Sequence, residues 1–201
     1  YVVFHVANAR TSELYSRRFA YTSEQVVDAA IELVNEIVDA LPEECWLLFE
    51  NLWWPGLTLL EPELAGRLLE RVHHEKTGFM LDTGHLMNTN LALRGEDEAV
   101  CYIVTVVDKL GSLSRRILGM HLHCSFSGAF VERTRRAHAK EAPHPLNWQE
   151  SMDYVMRVDR HRPFRTPVVR HLVNILKPQY LVHEFIQDSW EDWNNKVRVQ
   201  C

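Results

Sequence analysis

The sequence predicts an α/β fold, a (β/α)8 TIM barrel of which roughly five βα units are in view. Short, nearly continuous apolar runs alternate with longer stretches of helical period, as strands do when helices cover both faces of a parallel sheet. The runs also end in residues that can bind a divalent metal: His5, Glu50, Asp82 with His85, His121 and Glu184. Groups at the same end of parallel strands meet at one point only if the sheet closes, which favours a barrel over an open doubly wound sheet.

The first run, Tyr1 to His5, begins inside apolar sequence without Met or a polar lead-in. A whole barrel takes about 250 residues, so roughly three units are expected upstream of Tyr1. Thr22-Ser23-Glu24-Gln25 reads as a capping box, and Val26, Val27, Ala30, Val34, Ile37, Val38 and Leu41 then recur at helical spacing. Cys45 to Glu50 is the second strand, closed by a Trp53-Trp54-Pro55-Gly56 turn. Glu61-Pro62 starts a helix with Leu64, Leu68, Leu69 and Val72 on one face. Gly78 to Asp82 is the third strand. The stretch 96–113 is the next helix, with Val100, Ile103, Val104 and Val107 inward, and Ile117 to His123 is the fourth strand.

The segment 124–158 is irregular: Arg133, Arg135, Arg136 and Lys140, a Pro143-His144-Pro145 turn, and a short helix that Asn147 and Glu150 can cap. It is expected to be an insertion over the active-site mouth. A helix over 165–176 and a strand over 180–185 complete a single domain spanning 1–201.

With 46% hydrophobic residues, the 201-residue chain can bury one core. No apolar run approaches the roughly 20 residues that span a bilayer, so a soluble protein with no membrane partner is expected. Cys45, Cys101, Cys124 and Cys201 are too scattered for a disulfide framework or zinc ribbon, which suits a reducing, cytoplasmic setting. The formal charge of −5 excludes a global basic field for nucleic acid but not a locally basic groove. The oligomeric state is not set by these features.

Carboxylates crowded at one point need a compensating cation, which makes a metal site the leading expectation. Taken alone, Asp82 would more often cap a turn, accepting backbone N–H groups. His121 and His123 share a strand face, with His121 read as the ligand and His123 as a residue that either supports the ligands or faces substrate. His183 points the other way, toward the helices. Trp53 and Trp54 are candidates to line the pocket, and Arg133 and Arg136 to hold phosphate.

The ordered set Glu50-Asn51, Asp82-Thr83-Gly84-His85, Gly119-Met120-His121-Leu122-His123, Val158-Asp159-Arg160-His161 and Glu184, with His5 before it, resembles endonuclease IV. It resembles equally the wider AP endonuclease family 2, the xylose-isomerase-like TIM barrels. The resemblance implies a centre of up to three zinc ions. Glu50 would bridge two of them, with His5 on the first. Asp82, His121 and Glu184 would complete the second; His85, Asp159 and His161 would bind the third. One further histidine of the first zinc would fall before Tyr1. The chain departs from the family in the long stretch between His121 and Asp159.

Two chemistries accompany this architecture. A zinc phosphodiesterase acting on abasic-site DNA or another phosphoester uses the whole set. A sugar or sugar-phosphate isomerase or epimerase needs one Mn, Co or Mg ion on Glu50, Asp82, His121 and Glu184, with Glu50 and Glu184 as the catalytic acid and base. His5, His85, Asp159 and His161 are surplus to the second chemistry, which places the phosphodiesterase first. A non-catalytic binding module comes third.

Overall fold

The computed structural model describes residues 1–142 and 144–201, so Pro143 of the expected turn lies outside the described residues. Five strands, β1 Val2–His5, β2 Leu47–Glu50, β3 Thr77–Asp82, β4 Ile117–His121 and β5 Tyr180–Val182, form one sheet in sequential order. Every pairing is parallel. Sequential order leaves no point at which the winding reverses, so the sheet is an arc of a barrel and not a doubly wound sheet. The arc curls strongly: the ring of Tyr1 lies 4.4 Å from that of Tyr180. Register sets His5 beside Glu50 and Asp82 beside His121, which lines up the strand ends that carry the metal-binding side chains.

The helices are α1 Ser23–Ile37, α2 Pro62–Arg71, α3 Thr83–Met87, α4 Glu96–Lys109, α5 Gly128–Ala137, α6 Trp148–Val158, α7 Val169–Leu176 and α8 Trp190–Gln200. The capping box forms at α1, where Thr22 Oγ1 accepts from Gln25 N (3.2 Å) and Gln25 Oε1 accepts from Thr22 N (2.9 Å). Val27, Ile31 and Val34 of α1 are buried in one core with Leu64, Ala65 and Leu68 of α2, Phe49 of β2 and Phe79 and Leu81 of β3. The central strands β2 and β3 are buried along their whole length, whereas β1 and β5 are partly exposed edges.

Three expectations change. The helix expected over 96–113 stops at Lys109, because Gly111 takes a left-handed backbone (φ +57°) and the chain continues as a 3-10 turn. The helix expected from residue 165 begins only at Val169, since the N–H groups of Arg165 and Thr166 are held by Glu96 Oε2 (2.6 and 2.7 Å) ahead of Pro167. Most informatively, the irregular segment 124–158 contains, besides the expected helix capped by Asn147 and Glu150 (α6), a further helix, α5. Their Val131, Tyr154 and Val158 bury a second core with Leu14, Leu52 and Trp53.

Among the described residues, no helix is long and apolar enough to cross a membrane.

Candidate metal centre

Glu50, Asp82 and His121 end three adjacent strands, His5 ends the fourth, and Glu184 lies just beyond β5. The residues from Asp82 to His85 do several jobs at once. Asp82 Oδ1 accepts the N–H of His85 (2.6 Å) and so caps α3, while Oδ2 faces His123 Nε2 at 2.8 Å. The turn-capping and site readings of Asp82 therefore describe two oxygens of one carboxylate. Thr83 Oγ1 donates to the His123 carbonyl (2.6 Å) and accepts from its N–H (3.0 Å), which latches α3 to the chain beyond β4. Gly84 is needed because a Cβ there would lie 2.1 Å from His123 Cε1.

Asn51 holds the Asp82 backbone at both its carbonyl (3.0 Å) and its N–H (2.9 Å). Its own carbonyl lies 2.9 Å from His85 Nδ1. A carbonyl and a carboxylate both only accept, so Nδ1 donates to Asn51 and Nε2 donates to Asp159 Oδ2 at 3.0 Å, which holds His85 in its charged form when no metal is bound. Asp159 follows α6, and its Oδ1 accepts from Ser125 Oγ at 3.0 Å. His161 sits in a left-handed backbone (φ +43°), a conformation that costs a non-glycine residue energy. The paired backbones of Cys124 and Arg162 hold it there (2.6 and 3.1 Å), and its ring stacks on His123 at 4.1 Å.

The side chains fall into two groups, in each of which the donor atoms lie within 4.8 Å of one another. Glu50, Asp82, His121 and Glu184 form one; His85, His123, Asp159 and His161 form the other. Metal–ligand distances of about 2.0–2.2 Å allow donors around one ion to be up to about 4.4 Å apart, so each group is close to the size of a coordination shell. Contacts join them: His123 to Asp82, and His85 Nδ1 to Glu50 Oε1 at 3.3 Å. His5 Nε2 lies 3.3 Å from Glu50 Oε2 on the far side. His5 itself belongs to neither four-residue group.

Charge explains why these groups need a cation. Burial alone would raise the Glu50 carboxyl, but hydrogen bonds to His121, His5 and His85 outweigh it and hold the group well below the usual range. Asp82, also buried, is held well below its ordinary value by the charges of His123 and His85. Burial opposes the charging of His121, yet Asp82, Glu184 and Glu50 push it up to about 12; His85 is likewise raised well above its usual value, by Asp82 and Asp159 against the effect of burial. Without a metal, protons on histidine must supply the positive charge.

The hydrogen bonding supports the same need. His121 Nδ1 faces Glu184 Oε2, Glu50 Oε1 and Asp82 Oδ2 at 3.0, 3.2 and 3.7 Å, and one N–H cannot serve all three. His123 Nδ1 and Glu184 Oε2 are buried without a hydrogen-bond partner. For Glu184 this holds despite the short contact to His121, which lacks hydrogen-bond geometry. Imidazole and carboxylate donors of this kind fit zinc, manganese or cobalt. Sulfur takes no part: burial pushes the Cys124 thiol up to about 12, and Cys124 is in neither group.

The other candidates are placed as follows. His123, read from sequence as supporting the ligands or facing substrate, is fully buried within the second group, because Gly84 opens space for its ring. Trp53 is buried with its ring 5.0 Å from that of His85, so it backs the site; Trp54 lies against it at 4.7 Å. Arg136 lines a groove of about 470 Å³ with Arg17, Arg18 and Arg135. Arg133 lies instead over the Phe130 ring, at 6.0 Å. Arg17 links the groove to the site wall through the Trp53 carbonyl (3.4 Å). The buried Glu13 carboxylate gathers that loop by accepting from Arg10 N and Ala20 N, both at 2.9 Å. His183 turns away toward Gln200 (2.8 Å).

The long stretch from His121 to Asp159 does not separate its ends, because α5 and α6 fold back and deliver Asp159 to His85. Ser125 and Thr83 were not singled out from sequence. A signal for Ser125 existed: His121, His123 and Ser125 alternate as residues on one face of an extended run do.

A family model described as a xylose isomerase-like TIM barrel matches residues 1–177. No curated protein and no solved structure matches the chain.

Proposed function

The chain belongs to the xylose isomerase-like TIM barrel family, and on that basis we propose that it is a zinc-dependent phosphoester hydrolase of the endonuclease IV kind. The observation that supports this reading over a one-metal isomerase is the second donor group. A sugar isomerase needs a single ion on Glu50, Asp82, His121 and Glu184, and gives no employment to a further cluster of His85, His123, Asp159 and His161 beside it.

Zinc held by these residues would neutralise phosphoryl charge and bring the pKa of bound water toward about 7. The protein's own groups do the rest. Glu50, gripped by His5, His85 and His121, stays ionised at the junction of the two groups. Glu184 and His5 are the most open members, with 41% and 60% of their side chains exposed, and they mark where substrate enters. Trp53 and Trp54 shield the His85 side from water. The arginine groove suits a phosphate of the same substrate, either the backbone of abasic-site DNA or a smaller phosphoester.

The test is to incubate the zinc-loaded protein with duplex DNA containing an abasic site, with phosphodiester and phosphomonoester reporters, and with aldoses and ketoses. Phosphoester cleavage that a chelator abolishes is expected. Sugar isomerisation supported by one ion, without any phosphoester cleavage, would overturn the reading.

A further inference from the structure

Helix α8 reaches the end of the last strand through a single side chain. Strand β5 pairs with β4 as far as the bond from Leu122 N to the Val182 carbonyl (2.8 Å). The bonds of a parallel ladder are evenly spaced, so the next rung would run from the Glu184 N–H to the Leu122 carbonyl. That carbonyl accepts instead from Gln200 Nε2 of α8, at 2.9 Å, and β5 ends at Val182.

The rest of the Gln200 amide is equally committed. Its Nε2 also donates to His183 Nδ1 (2.8 Å), and its oxygen accepts from Phe164 N (2.8 Å). The partners fix which end of the amide is which, since a carbonyl can only accept and a backbone N–H can only donate. Each partner neighbours a candidate metal ligand: Leu122 lies between His121 and His123, His183 precedes Glu184, and Phe164 follows Asp159 and His161. One buried side chain thus ties together three segments that deliver donors to the site.

We infer that Gln200 is a positioning residue for Glu184: by occupying the rung that the Glu184 N–H would fill, it ends the last strand early and decides which donor group the carboxylate joins. His121 pairs with Val182, so continued register would set Glu184 opposite His123. Released from the ladder, Glu184 reaches back, and its Oε2 lies 3.0 Å from His121 Nδ1. Gln200 belongs to neither donor group and acts only through the backbone and His183. The seating of α8 is therefore coupled to the most exposed ligand of the group formed by Glu50, Asp82, His121 and Glu184. The inference rests on reading these residues as a metal centre, and not on a phosphoester being the substrate.

The experiment compares the full chain with Gln200→Met, Glu184→Ala and the double variant. Each is titrated with cobalt(II), read by competition with a chromophoric chelator and by visible absorption. Gln200→Met keeps the length of the side chain and loses all three hydrogen bonds. It should weaken cobalt binding about 10- to 100-fold, as loss of residues that orient ligands does, and shift the cobalt absorption band. In the Glu184→Ala background the same change should cost less than about twofold, because the residue it acts through is already gone. Equal losses in both backgrounds would overturn the positioning role and leave Gln200 a plain support of the fold. Val34→Ala, which opens a cavity in the core beneath α1, should lower the melting temperature without weakening cobalt binding. If Gln200→Met does not fold, NMR of the wild type decides: the Gln200 side-chain NH2 signals should shift as zinc is added, and unmoved signals would overturn the inference. Failure to take up any metal would remove both this inference and the metal-centre reading. Metal binding that depends on Gln200 through Glu184, without phosphoester cleavage, would support the inference and remove only the proposed reaction.

Discussion

The two donor groups sit side by side and share hydrogen bonds, yet they are built by different means. Glu50, Asp82 and His121 of the first group end adjacent strands, so sheet register alone brings them together. The second group comes from connecting segments: His85 from a one-turn helix, His123 from beyond β4, and Asp159 and His161 from the turn after α6. Each of these needs a local device to hold it, namely the Asp82 cap, the space left by Gly84, the Ser125 hydroxyl and the left-handed backbone at His161. A site made by register depends on the whole fold. A site made by such devices can be dismantled one residue at a time.

That contrast can be broken most forcefully at Glu50. Glu50→Gln removes the carboxylate that three histidines contact, and phosphoester cleavage should fall by about a thousandfold, at the upper end of what one buried electrostatic group contributes. Metal titration should still find binding at the second group. Loss of all binding would mean the two groups are a single site.

Gly84→Ala makes the opposite cut. The new Cβ would lie 2.1 Å from His123 Cε1, so the ring must move or the helix must shift, at a cost of about 1–3 kcal/mol. In a chain of this size the melting temperature should drop by about 2–4 °C for each kcal/mol. Metal affinity at the second group should fall while the first still binds, as metal titration would report. Unchanged affinity would show that the position of His123 does not matter to it.

Ser125→Ala is gentler, since it frees one oxygen of Asp159 without touching a ligand. Metal affinity at the second group should fall about 10- to 100-fold, read by competition with a chromophoric chelator. An equal effect on the first group would blur the distinction between them.

Acid–base behaviour offers a fourth handle. His121, raised to about 12, holds its proton at neutral pH in metal-free protein, and metals bind only neutral imidazole. Metal uptake near pH 7 should therefore release about one proton from His121, and affinity should strengthen as pH rises. Calorimetry in buffers of differing ionisation enthalpy measures this, and absence of proton release would contradict the charge assignment. For folding of the metal-free protein, the raised His121 contributes stability that is complete below about pH 6.5 and is lost as pH rises through about 12. The depressed Glu50 and Asp82 contribute stability present above about pH 4 and lost in stronger acid.

The smallest effect belongs to the rim. Replacing Arg135 and Arg136 together by Ala should raise KM about 2- to 5-fold with kcat unchanged, in the range of exposed charge contacts. A fall in kcat would place the groove closer to the reaction than its position implies.

The same contrast separates what could be read in the sequence from what could not. Strand ends are legible because alternation and apolar continuity show where strands stop, and caps such as Thr22-Gln25 and Asn147-Glu150 are local signals that the fold leaves intact. The role of His123 was hidden because it depends on the missing Cβ of Gly84, on a separate strand-end turn. Helix α8 escaped notice because its hold is polar and remote. The buried Gln200 amide donates to the Leu122 carbonyl (2.9 Å) and accepts from Phe164 N (2.8 Å), and no apolar stripe announces it. In the stretch 124–158 the cap of α6 was visible, but the core that Val131, Tyr154 and Val158 share with Leu14, Leu52 and Trp53 joins residues between 78 and 144 positions apart.

The central claim is a metal centre of two groups within one chain, and metal content tests it most directly. Protein saturated with zinc and freed of excess should hold at least two ions per chain by elemental analysis. A saturating value of one ion per chain would contradict the account.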